Sequence, residues 1–333
     1  MGNTRIRGVG RSIPPKIVTN DDLADRMETS DEWIQQRSGI QQRHHIDRDT
    51  GTADLGAEAA HQALDRAGVK PEEIDCVLLA TLSPDFEMPA SACVLQERLG
   101  IAGVPAFDVR NQCTGFLYGL TVADAYLQAG RYDKVLLVGA EVHSTGVDFT
   151  TRGRQLAVLF GDAAGAMVLD RGEDSDRGVL STHLHSEGAF AEKLWLEGVC
   201  GRAAVRLTEE MIVGDDPAIY PKMQGRYVFK HAVIRSIEAI HEAVEANDYT
   251  VSDLDLLVPH QANLRINQAV ATHLEFPEEK VVNNIQGLGN TTAATIPLAL
   301  YDALEDGRLE NGDLVCIVAF GAGFTWASVL LRW

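Results

Sequence analysis

The sequence predicts an α/β protein built from two similar halves, each a sheet covered by helices. From residue 52 onward, apolar runs of strand length alternate with amphipathic stretches of helical length, an alternation typical of sheets that carry helices on their faces. The same order of segments recurs roughly 180 residues later, with Asp75 and Asp255 each just before an apolar run. Because only two copies occur, the repeat indicates a duplicated α/β domain and not a solenoid.

Six pairs of matching segments carry the repeat. In chain order they are helices at 53–67 and 227–246, strands at 76–80 and 256–258, helices at 91–99 and 264–274, short strands at 104–109 and 280–285, long apolar helices at 113–130 and 290–307, and strands at 134–139 and 314–321. We expect the two long apolar helices to form the layer between the halves. The polar segment 170–178 marks the boundary, which gives halves at 1–172 and 173–333.

Two stretches lie outside the repeat. Near the N-terminus, Ser30 or Asp31 can cap a short helix that carries Trp33 and Arg37 four residues apart. Residues 186–225 have weak periodicity and several Gly, Asp and Pro residues. We interpret them as an irregular cap or loop, since long loops in compact domains are usually functional or disordered.

Composition and charge exclude several classes of protein. Of the 333 residues, 45% are hydrophobic and 23% are charged, as in a soluble globular protein with a large core. The net charge of −19 argues against nucleic acid as a general partner. The five cysteines include no Cys-x-x-Cys pair, which indicates reduced thiols in a cytoplasmic protein without a disulfide framework or a zinc site. No apolar run approaches the roughly 20 residues that cross a bilayer, so we expect no membrane span.

One basic row contrasts with the acidic average. Lys222, Arg226 and Lys230 lie four residues apart, and His231 and Arg235 follow them. The later members share a face if this stretch is helical. Such rows are usually solvated faces, although this one could meet an acidic partner.

Cys113 is the first candidate for chemistry. It follows the short strand at 104–109 and precedes small and apolar residues at helical spacing, so we expect it at or near a helix N-terminus. The unpaired N–H groups and the helix dipole there favour the thiolate, which is the nucleophilic form. The alternative is a structural cysteine, since most free cysteines pack as small hydrophobes.

Two further groups are candidate partners for this thiol. His260 follows one strand of the second half, and Asn290 lies in a glycine-rich turn after another. Ligands of open α/β sheets bind at the carboxyl ends of strands, so we expect the three groups to converge on one pocket. His260 could act as a base for Cys113, and the Asn290 amide could donate to a substrate oxygen. A second glycine-rich turn, at 320–324, could bring backbone N–H groups close to a ligand.

Six motifs together carry a resemblance to a known family. They are Thr29-Ser-Asp-Glu-Trp33-Ile, Cys113-Thr-Gly-Phe, Gly161-Asp162-Ala-Ala-Gly165-Ala, Pro259-His260-Gln-Ala-Asn263-Leu-Arg265, Gly289-Asn290-Thr-Thr-Ala-Ala and Phe320-Gly-Ala-Gly-Phe-Thr-Trp326. Over essentially its whole length, the chain resembles the β-ketoacyl-acyl carrier protein synthase III enzymes of the thiolase superfamily. The resemblance implies a thiolase fold in a homodimer, with duplicated βαβαβαββ halves in α-β-α-β-α layers and two related five-stranded sheets around central helices.

The resemblance also implies a reaction, a decarboxylating Claisen condensation catalysed by an acyltransferase. Cys113 is expected to take an acyl group from acyl-coenzyme A. His260 and Asn290 are expected to stabilise the enolate that forms when malonyl-acyl carrier protein loses carbon dioxide. Attack of this carbanion on the Cys113 thioester then releases a 3-oxoacyl product, which initiates fatty acid or related acyl-chain synthesis. No permanently bound cofactor and no metal is implied.

Further residues take expected roles from the same resemblance. Phe320 is expected beside the carboxylate that leaves, and the N–H groups of Cys113 and of the turn containing Ala322 are expected on the thioester oxygen. Family members hold the adenine and phosphates of coenzyme A at three positions, which match Trp33, Arg37 and Arg152 of this chain. Arg265 matches a position that meets the acidic carrier protein, which gives the basic row a possible use.

Four departures from the family pattern concern the acyl substrate. Asn111 and Gln112 stand where small residues usually precede the nucleophile, and Ala322 stands where the usual turn has its middle glycine. The segment 197–220 is longer than in short-chain members of the family. Met88 matches the position where a side chain of the partner subunit closes the acyl pocket, and a flexible methionine is compatible with a different acyl length.

Glu87 supplies the main alternative function. It lies 26 residues before Cys113 and resembles a glutamate that reaches across the dimer as a base in enzymes that condense two long-chain acyl-coenzyme A molecules head to head. A surface glutamate in a loop is the simpler interpretation. Acyl transfer to a hydroxyl or an amine is a related alternative. A non-catalytic partner subunit of the same fold is a minor one, because such proteins typically lose part of the set Cys113, His260 and Asn290.

Overall fold

The computed structural model describes residues 2–47, 49–173, 175–202, 205–214 and 216–333. The strands in these ranges are β1 (Thr4–Ser12), β2 (Lys16–Thr19), β3 (Gln42–His45), β4 (Cys76–Ala80), β5 (Ala106–Val109), β6 (Lys134–Glu141), β7 (Ala163–Arg171), β8 (Gly178–Ser186), β9 (Leu194–Trp195), β10 (Lys222–Met223), β11 (Leu256–Pro259), β12 (Leu314–Gly321) and β13 (Thr325–Arg332). The α-helices are α1 (Asn20–Ala24), α2 (Asp31–Ser38), α3 (Thr52–Ala67), α4 (Ser91–Arg98), α5 (Gly115–Gln128), α6 (Arg154–Ala157), α7 (Glu209–Ile212), α8 (Gly225–Glu245), α9 (Leu264–His273), α10 (Ile285–Leu288) and α11 (Thr295–Glu305).

The first sheet has five strands in the order β1-β7-β6-β4-β5. β4 runs parallel to β5 and β6, whereas β7 pairs antiparallel with β6 and β1. All of β4 is buried, and its apolar side chains pack on both faces of the sheet. Leu78 joins the core cluster that contains the side chains of α5, and Leu79 joins the cluster that contains those of α3. A continuous apolar strand between two helix layers is what the sequence predicts.

The second sheet repeats this order with four strands, β11-β12-β13-β8. β11 and β12 are parallel, and β13 is antiparallel to its neighbours β12 and β8. The prediction of a strand at 280–285 is wrong. In this segment only Val281 pairs with a strand, through an isolated bridge to Leu257. In place of strand pairing, the Gln261 side chain forms hydrogen bonds with the backbone of this segment. It donates to Val282 O (2.9 Å) and accepts from Asn284 N–H (3.2 Å).

The central helices α5 and α11 lie between the two sheets, as predicted. Leu117 and Leu120 of α5 and Ile296 and Leu300 of α11 are fully buried in one core cluster with the inward faces of both sheets. This cluster fixes how the turns that precede the two helices face each other.

The register of the repeat differs from the predicted one in front of these helices. A 3₁₀ turn begins at Gln112 in the first half and at Thr292 in the second, with positive φ angles of 46° and 50°. This correspondence aligns Cys113 with Ala293 and places Asn290 three residues earlier. The predicted match of Cys113 with Asn290 is therefore wrong by three residues. A shift of three residues is nearly one helical turn and leaves the apolar face of a helix almost unchanged, so the sequence pattern alone could not detect it.

The regions outside the repeat have the expected character. Helix α2 begins as predicted, with the Ser30 hydroxyl accepting from Trp33 N–H at 3.1 Å. The segment 186–225 contains the two-stranded ribbon of β9 and β10, the short helix α7 and much irregular chain. Residues 203, 204 and 215 of this predicted cap lie outside the described part of the chain. The division into 1–172 and 173–333 stays a prediction. No helix within the described ranges is long and apolar enough to cross a membrane.

Candidate active site

A cavity of about 720 Å³ opens at the carboxyl ends of β11 and β12. Cys113, His260, Asn290 and Phe320 all line it. Cys113 comes from the turn after β5, His260 directly follows β11, Asn290 precedes α11, and Phe320 lies at the end of β12. The structure therefore brings together the groups that the sequence predicts at one site.

Cys113 lies in a tight turn against the backbone of Gly321. The residue before it, Gln112, has a φ of 46°, a left-handed conformation that is costly for a side chain and that clusters at functional sites. A β-carbon on Gly321 would lie 2.9 Å from the Cys113 Cβ atom and 3.2 Å from its nitrogen. Only glycine allows this approach, which brings the turn after β12 to the sulfur.

Burial raises the pKa of the Cys113 thiol to about 12, and the nearby Glu141 carboxylate contributes to the rise. The backbone N–H groups of Cys113 and Ala322 point toward the sulfur and lower its pKa by a smaller amount. The expectation that the helix N-terminus favours a thiolate in the free protein is therefore wrong. Desolvation disfavours the charged form more than two N–H groups favour it. The thiol needs a base at the moment of attack.

His260 is a neutral imidazole with a defined tautomer. Burial lowers its pKa to about 3. Its Nδ1 atom lies 2.7 Å from the Thr295 hydroxyl, and that hydroxyl donates its own proton to Thr292 O at 2.9 Å. Nδ1 must therefore carry the ring proton and donate it to Thr295. The lone pair lies on Nε2, which is buried and makes no hydrogen bond within the described part of the chain, so His260 has a free base nitrogen at the cavity.

Asn290 is held so that its amide nitrogen remains available. Its Oδ1 atom accepts from Thr292 N–H at 2.9 Å, and its backbone N–H donates to Leu159 O at 2.7 Å. Thr292, whose φ is 50°, is fixed in turn by a 2.6 Å hydrogen bond between its hydroxyl and His143 Nε2. Burial lowers the pKa of His143 to about 4. With its oxygen occupied, the side chain of Asn290 can offer a substrate oxygen only its N–H donors.

Glu141 is a buried carboxyl group that the sequence analysis missed. It ends β6 and has no exposed surface. Its oxygens accept from the hydroxyls of Thr81 (3.2 Å) and Ser83 (2.6 Å) and from the Leu82 and Ser83 N–H groups. Burial raises its pKa to about 7, although these donors lower it. The only sequence signal was an acidic residue at the end of an otherwise apolar strand.

Cations surround the mouth of the cavity. Arg37, Arg154, Arg226 and Arg265 line it together with Trp33. The guanidinium carbons of Arg37 and Arg154 lie 5.6 Å and 5.0 Å from the centre of the Trp33 ring. Within the described ranges, Arg37, Arg226 and Arg265 form no ion pair. In a chain of net charge −19, such a group of available cations points to an anionic ligand.

Comparisons with known proteins identify the family of the chain. The family described as "3-Oxoacyl-[acyl-carrier-protein (ACP)] synthase III" matches residues 107–188, and its C-terminal family matches residues 244–333. A relative named β-ketoacyl-[acyl-carrier-protein] synthase III in Methylococcus capsulatus is 44% identical over 330 residues, which are 99% of both chains. One of the same name in Brucella suis is 45% identical over 98% of both chains. The chain belongs to the β-ketoacyl-[acyl-carrier-protein] synthase III family.

Solved structures give the same result for the fold. The 3-oxoacyl-[acyl-carrier-protein] synthase III of Aquifex aeolicus is 40% identical, with a TM-score of 0.90 over 99% of this chain and 100% of that one. The Pseudomonas aeruginosa enzyme is also 40% identical, with a TM-score of 0.89 over 99% and 98%. The thiolase fold is thus confirmed. Xanthomonas campestris OleA, at 22% identity and a TM-score of 0.86, shares the fold alone.

Arg152 and Arg154 line different cavities in this structure. Arg152 is paired with Asp148 at 2.7 Å, and its guanidinium carbon lies 5.5 Å from the centre of the Tyr220 ring. It lines a neighbouring depression of about 260 Å³, whereas Arg154 lines the cavity that contains Cys113. The role of Arg152 in coenzyme A binding stays a prediction. Arg154 was missed, and its position two residues after Arg152 was the only signal.

The residues expected to set the acyl substrate do not line this cavity in their own chain. Met88 is 85% exposed, and Glu87 is an exposed side chain whose nearest charged partner is Arg206 at 3.5 Å. Asn111 is used within its own turn, because its side chain donates to the Thr114 hydroxyl at 3.0 Å. Gln112 contributes its left-handed backbone conformation. Within the described residues, no group of three or more His, Cys, Asp and Glu side chains could hold a metal ion.

Proposed function

We propose that this chain catalyses the decarboxylating condensation of an acyl-coenzyme A with malonyl-acyl carrier protein, through an acyl thioester on Cys113. One observation carries the proposal: the Cys113 thiol, Nε2 of His260 and the amide nitrogen of Asn290 belong to residues of one cavity. Neither nitrogen has a hydrogen-bond partner in the described part of the chain. A nucleophile, a base and a neutral donor are the groups that acyl transfer followed by enolate chemistry requires. The enzyme is an acyltransferase that initiates fatty acid or related acyl-chain synthesis.

In the acyl transfer, Cys113 Sγ bonds to the thioester carbonyl carbon while its proton passes to His260 Nε2. The negative charge that develops on the carbonyl oxygen is stabilised by the N–H groups of Cys113 and Ala322, which already point toward the sulfur. The C–S bond to coenzyme A then breaks, and the leaving sulfur takes the proton from His260. The acyl group remains on Cys113, and His260 is neutral again.

In the condensation, the malonyl group loses carbon dioxide and its bonding electrons form an enolate. Asn290 Nδ2 donates to the enolate oxygen, since Oδ1 is occupied by Thr292 N–H. His260, which is expected to share this task, can donate from Nε2 only when that nitrogen is protonated. The carbanion attacks the acyl carbon, the bond to Sγ breaks, and the thiolate of Cys113 regains a proton from solvent.

The cations at the mouth fit two acidic substrates. Trp33 with Arg37 and Arg154 offers a ring and two guanidinium groups for the adenine and phosphates of coenzyme A. Arg265 and Arg226, which also line the mouth, are available for an acidic carrier protein. The basic row is only partly available, because Lys222 is paired with Glu197 and Arg235 with Glu187.

The proposal includes a cytoplasmic homodimer without a permanently bound cofactor. Met88 and Phe86 are exposed apolar side chains, at 85% and 56%, on one short loop. Exposed large apolar side chains that lie close together are typical of contact surfaces. In a dimer, Met88 would close the acyl pocket of the partner subunit.

The test is the mass of the intact protein after mixing with acyl-coenzyme A compounds of graded chain length. We expect an acyl adduct on the wild type, none on Cys113→Ala, and an adduct without subsequent condensation on Asn290→Ala. Malonyl-acyl carrier protein should then discharge the wild-type adduct with release of carbon dioxide. A wild type that stays unmodified at every chain length would contradict the proposal.

A further inference from the structure

A second cavity, of about 280 Å³, lies away from the site described above and shares no lining residue with it. Five arginines line this second cavity: Arg5, Arg7, Arg66, Arg177 and Arg332. Among the described residues that line it there is no aspartate or glutamate. The chain has 29 basic residues and a net charge of −19, so five guanidinium groups around one small space are a marked local excess of positive charge.

The second cavity lies at the seam between the two halves. It is lined by the start of β1, the end of α3, the start of β8 and the end of β13. Arg332, in the last part of β13, pairs with Leu314 at the start of β12, whereas Phe320 of the active-site cavity is near the opposite end of β12. At about 3.3 Å per residue, the two ends of this eight-residue strand are roughly 23 Å apart.

The arginines of the second cavity are only partly neutralised. Arg5 and Arg7 share one carboxylate, Asp170, at 3.6 Å each, and Arg66 is paired with Glu305 at 3.0 Å. The Nε atom of Arg5 is buried without a hydrogen-bond partner in the described part of the chain. Two carboxylates thus face three of the five guanidinium groups.

The remaining two guanidinium groups have no acidic partner in the part of the chain that the structure describes. Arg332 donates to the neutral oxygens of Gly312 and of the Tyr249 hydroxyl, both at 2.9 Å. Arg177 forms neither an ion pair nor a hydrogen bond within the described ranges. The backbone oxygen of Trp333 is held by Gly312 N–H at 2.8 Å. Within the described ranges, the five lining arginines are thus paired with only two carboxylates.

We propose that the second cavity binds a small phosphate ester. A guanidinium group donates two parallel hydrogen bonds to a phosphate, and a phosphate monoester carries up to two negative charges at neutral pH. Ile6, Leu331 and Trp333 supply apolar wall for the organic part of the ester. Because strands of both halves and helix α3 line the cavity, a bound ester stabilises the seam between the halves and raises the melting temperature.

The test measures binding of AMP and of inorganic phosphate by calorimetry, with the full chain and two variants. Arg177→Ala removes one cation of the second cavity, and Arg37→Ala is the matched control at the mouth of the active-site cavity. We expect AMP to bind more tightly than inorganic phosphate at a site whose Kd rises about tenfold or more in Arg177→Ala and stays unchanged in Arg37→Ala. AMP that binds beside Trp33 forms a second class of site in the titration, which Arg37→Ala weakens and Arg177→Ala does not. Arg177 has no partner among the described residues, so this variant should fold, and Arg7→Ala gives a second variant of the same cavity.

Four outcomes would overturn the proposal. The wild type gives no heat with AMP, or the Kd for AMP is the same in Arg177→Ala as in the wild type. The third is an affinity that is lost in Arg37→Ala and kept in Arg177→Ala, which would place the phosphate in the active-site cavity. Equal Kd values for AMP and inorganic phosphate would likewise contradict an ester site.

Discussion

The Cα atom of Gly321 lies so close to Cys113 that a β-carbon there would come within 2.9 Å of Cys113 Cβ and 3.2 Å of Cys113 N. The contact joins the end of β12 in the second half to the turn after β5 in the first half. It holds Cys113 and the N–H of Ala322 in one fixed arrangement. The position of the sulfur thus depends on a glycine 208 residues away in the sequence.

Replacing this glycine should slow acylation. We expect Gly321→Ala to fold but to form the acyl adduct about a hundredfold more slowly, since small displacements of reacting groups cost rates of that order. The measurement is the rate of adduct formation by intact mass. Gly287→Ala is the control, because a β-carbon on Gly287 meets nothing within 4 Å. Equal rates in the two variants would show that the Cys113 turn tolerates displacement.

The hydroxyl of Thr295 should determine the tautomer of His260. Thr295→Val removes the oxygen that accepts from Nδ1–H at 2.7 Å and leaves a buried donor without a partner. We expect kcat to fall about tenfold or more with little change in KM, and Thr295→Ser to restore most of the rate. Steady-state kinetics with both variants is the measurement. A fully active valine variant would mean that the imidazole needs no such partner.

Two buried histidines should make the protein less stable in acid. Burial lowers the pKa of His260 to about 3 and of His143 to about 4, from the usual 6.5. Between pH 6.5 and those values the unfolded chain takes up a proton at each site and the folded chain does not, so the contribution of each histidine to stability falls as pH falls. The raised pKa of Glu141 acts in the opposite direction over the same range. At pH 5 the loss is about 2 kcal/mol per histidine.

The check for this pH dependence is denaturant unfolding at pH 7 and pH 5. The free energy of unfolding should drop less in His260→Gln than in the wild type, by about 2 kcal/mol. Glutamine is uncharged over this range, so it lacks the linked protonation. The same drop in both proteins would mean that His260 does not lose its proton on folding.

Arg154 should contribute to the binding of coenzyme A. Its guanidinium lies 5.0 Å from the Trp33 ring centre and lines the cavity that contains Cys113. We expect Arg154→Ala to raise the KM for acyl-coenzyme A about tenfold with kcat nearly unchanged, and the effect to shrink at high salt. Arg131→Ala is the control, since Arg131 lies outside the cavity. Similar KM values in the two variants would exclude Arg154 from substrate binding.

The side chain at position 88 should select the acyl chain. Met88 is 85% exposed in one chain, and the proposed dimer inserts it into the partner's pocket. A rigid phenylalanine fills more space than a flexible methionine. We expect Met88→Phe to shift adduct formation toward shorter acyl groups, measured with the same acyl-coenzyme A panel. An unchanged preference, together with a dimer in sedimentation, would place Met88 outside the pocket.

The sequence by itself determined the fold and indicated the candidate reacting groups. Apolar runs alternating with amphipathic helices, repeated once, indicated two related sheets around central helices, because periodic burial leaves a periodic pattern. Cys113, His260 and Asn290 could be named because each has a reactive group and follows an element that ends at the same edge. The absence of a fifth strand from the second sheet was harder to predict. Gln261 replaces that strand with two side-chain hydrogen bonds, and a single glutamine leaves no periodic pattern in the sequence.

Only the tertiary structure decided the protonation states and the register. The thiol of Cys113 is protonated because burial and Glu141 raise its pKa, and neither desolvation nor a charge from another strand can be read from local sequence. The Asn290 loop is three residues out of register with the Cys113 turn, a shift that the apolar pattern of a helix cannot reveal. The close approach of Gly321 to Cys113 likewise exists only where the two halves meet.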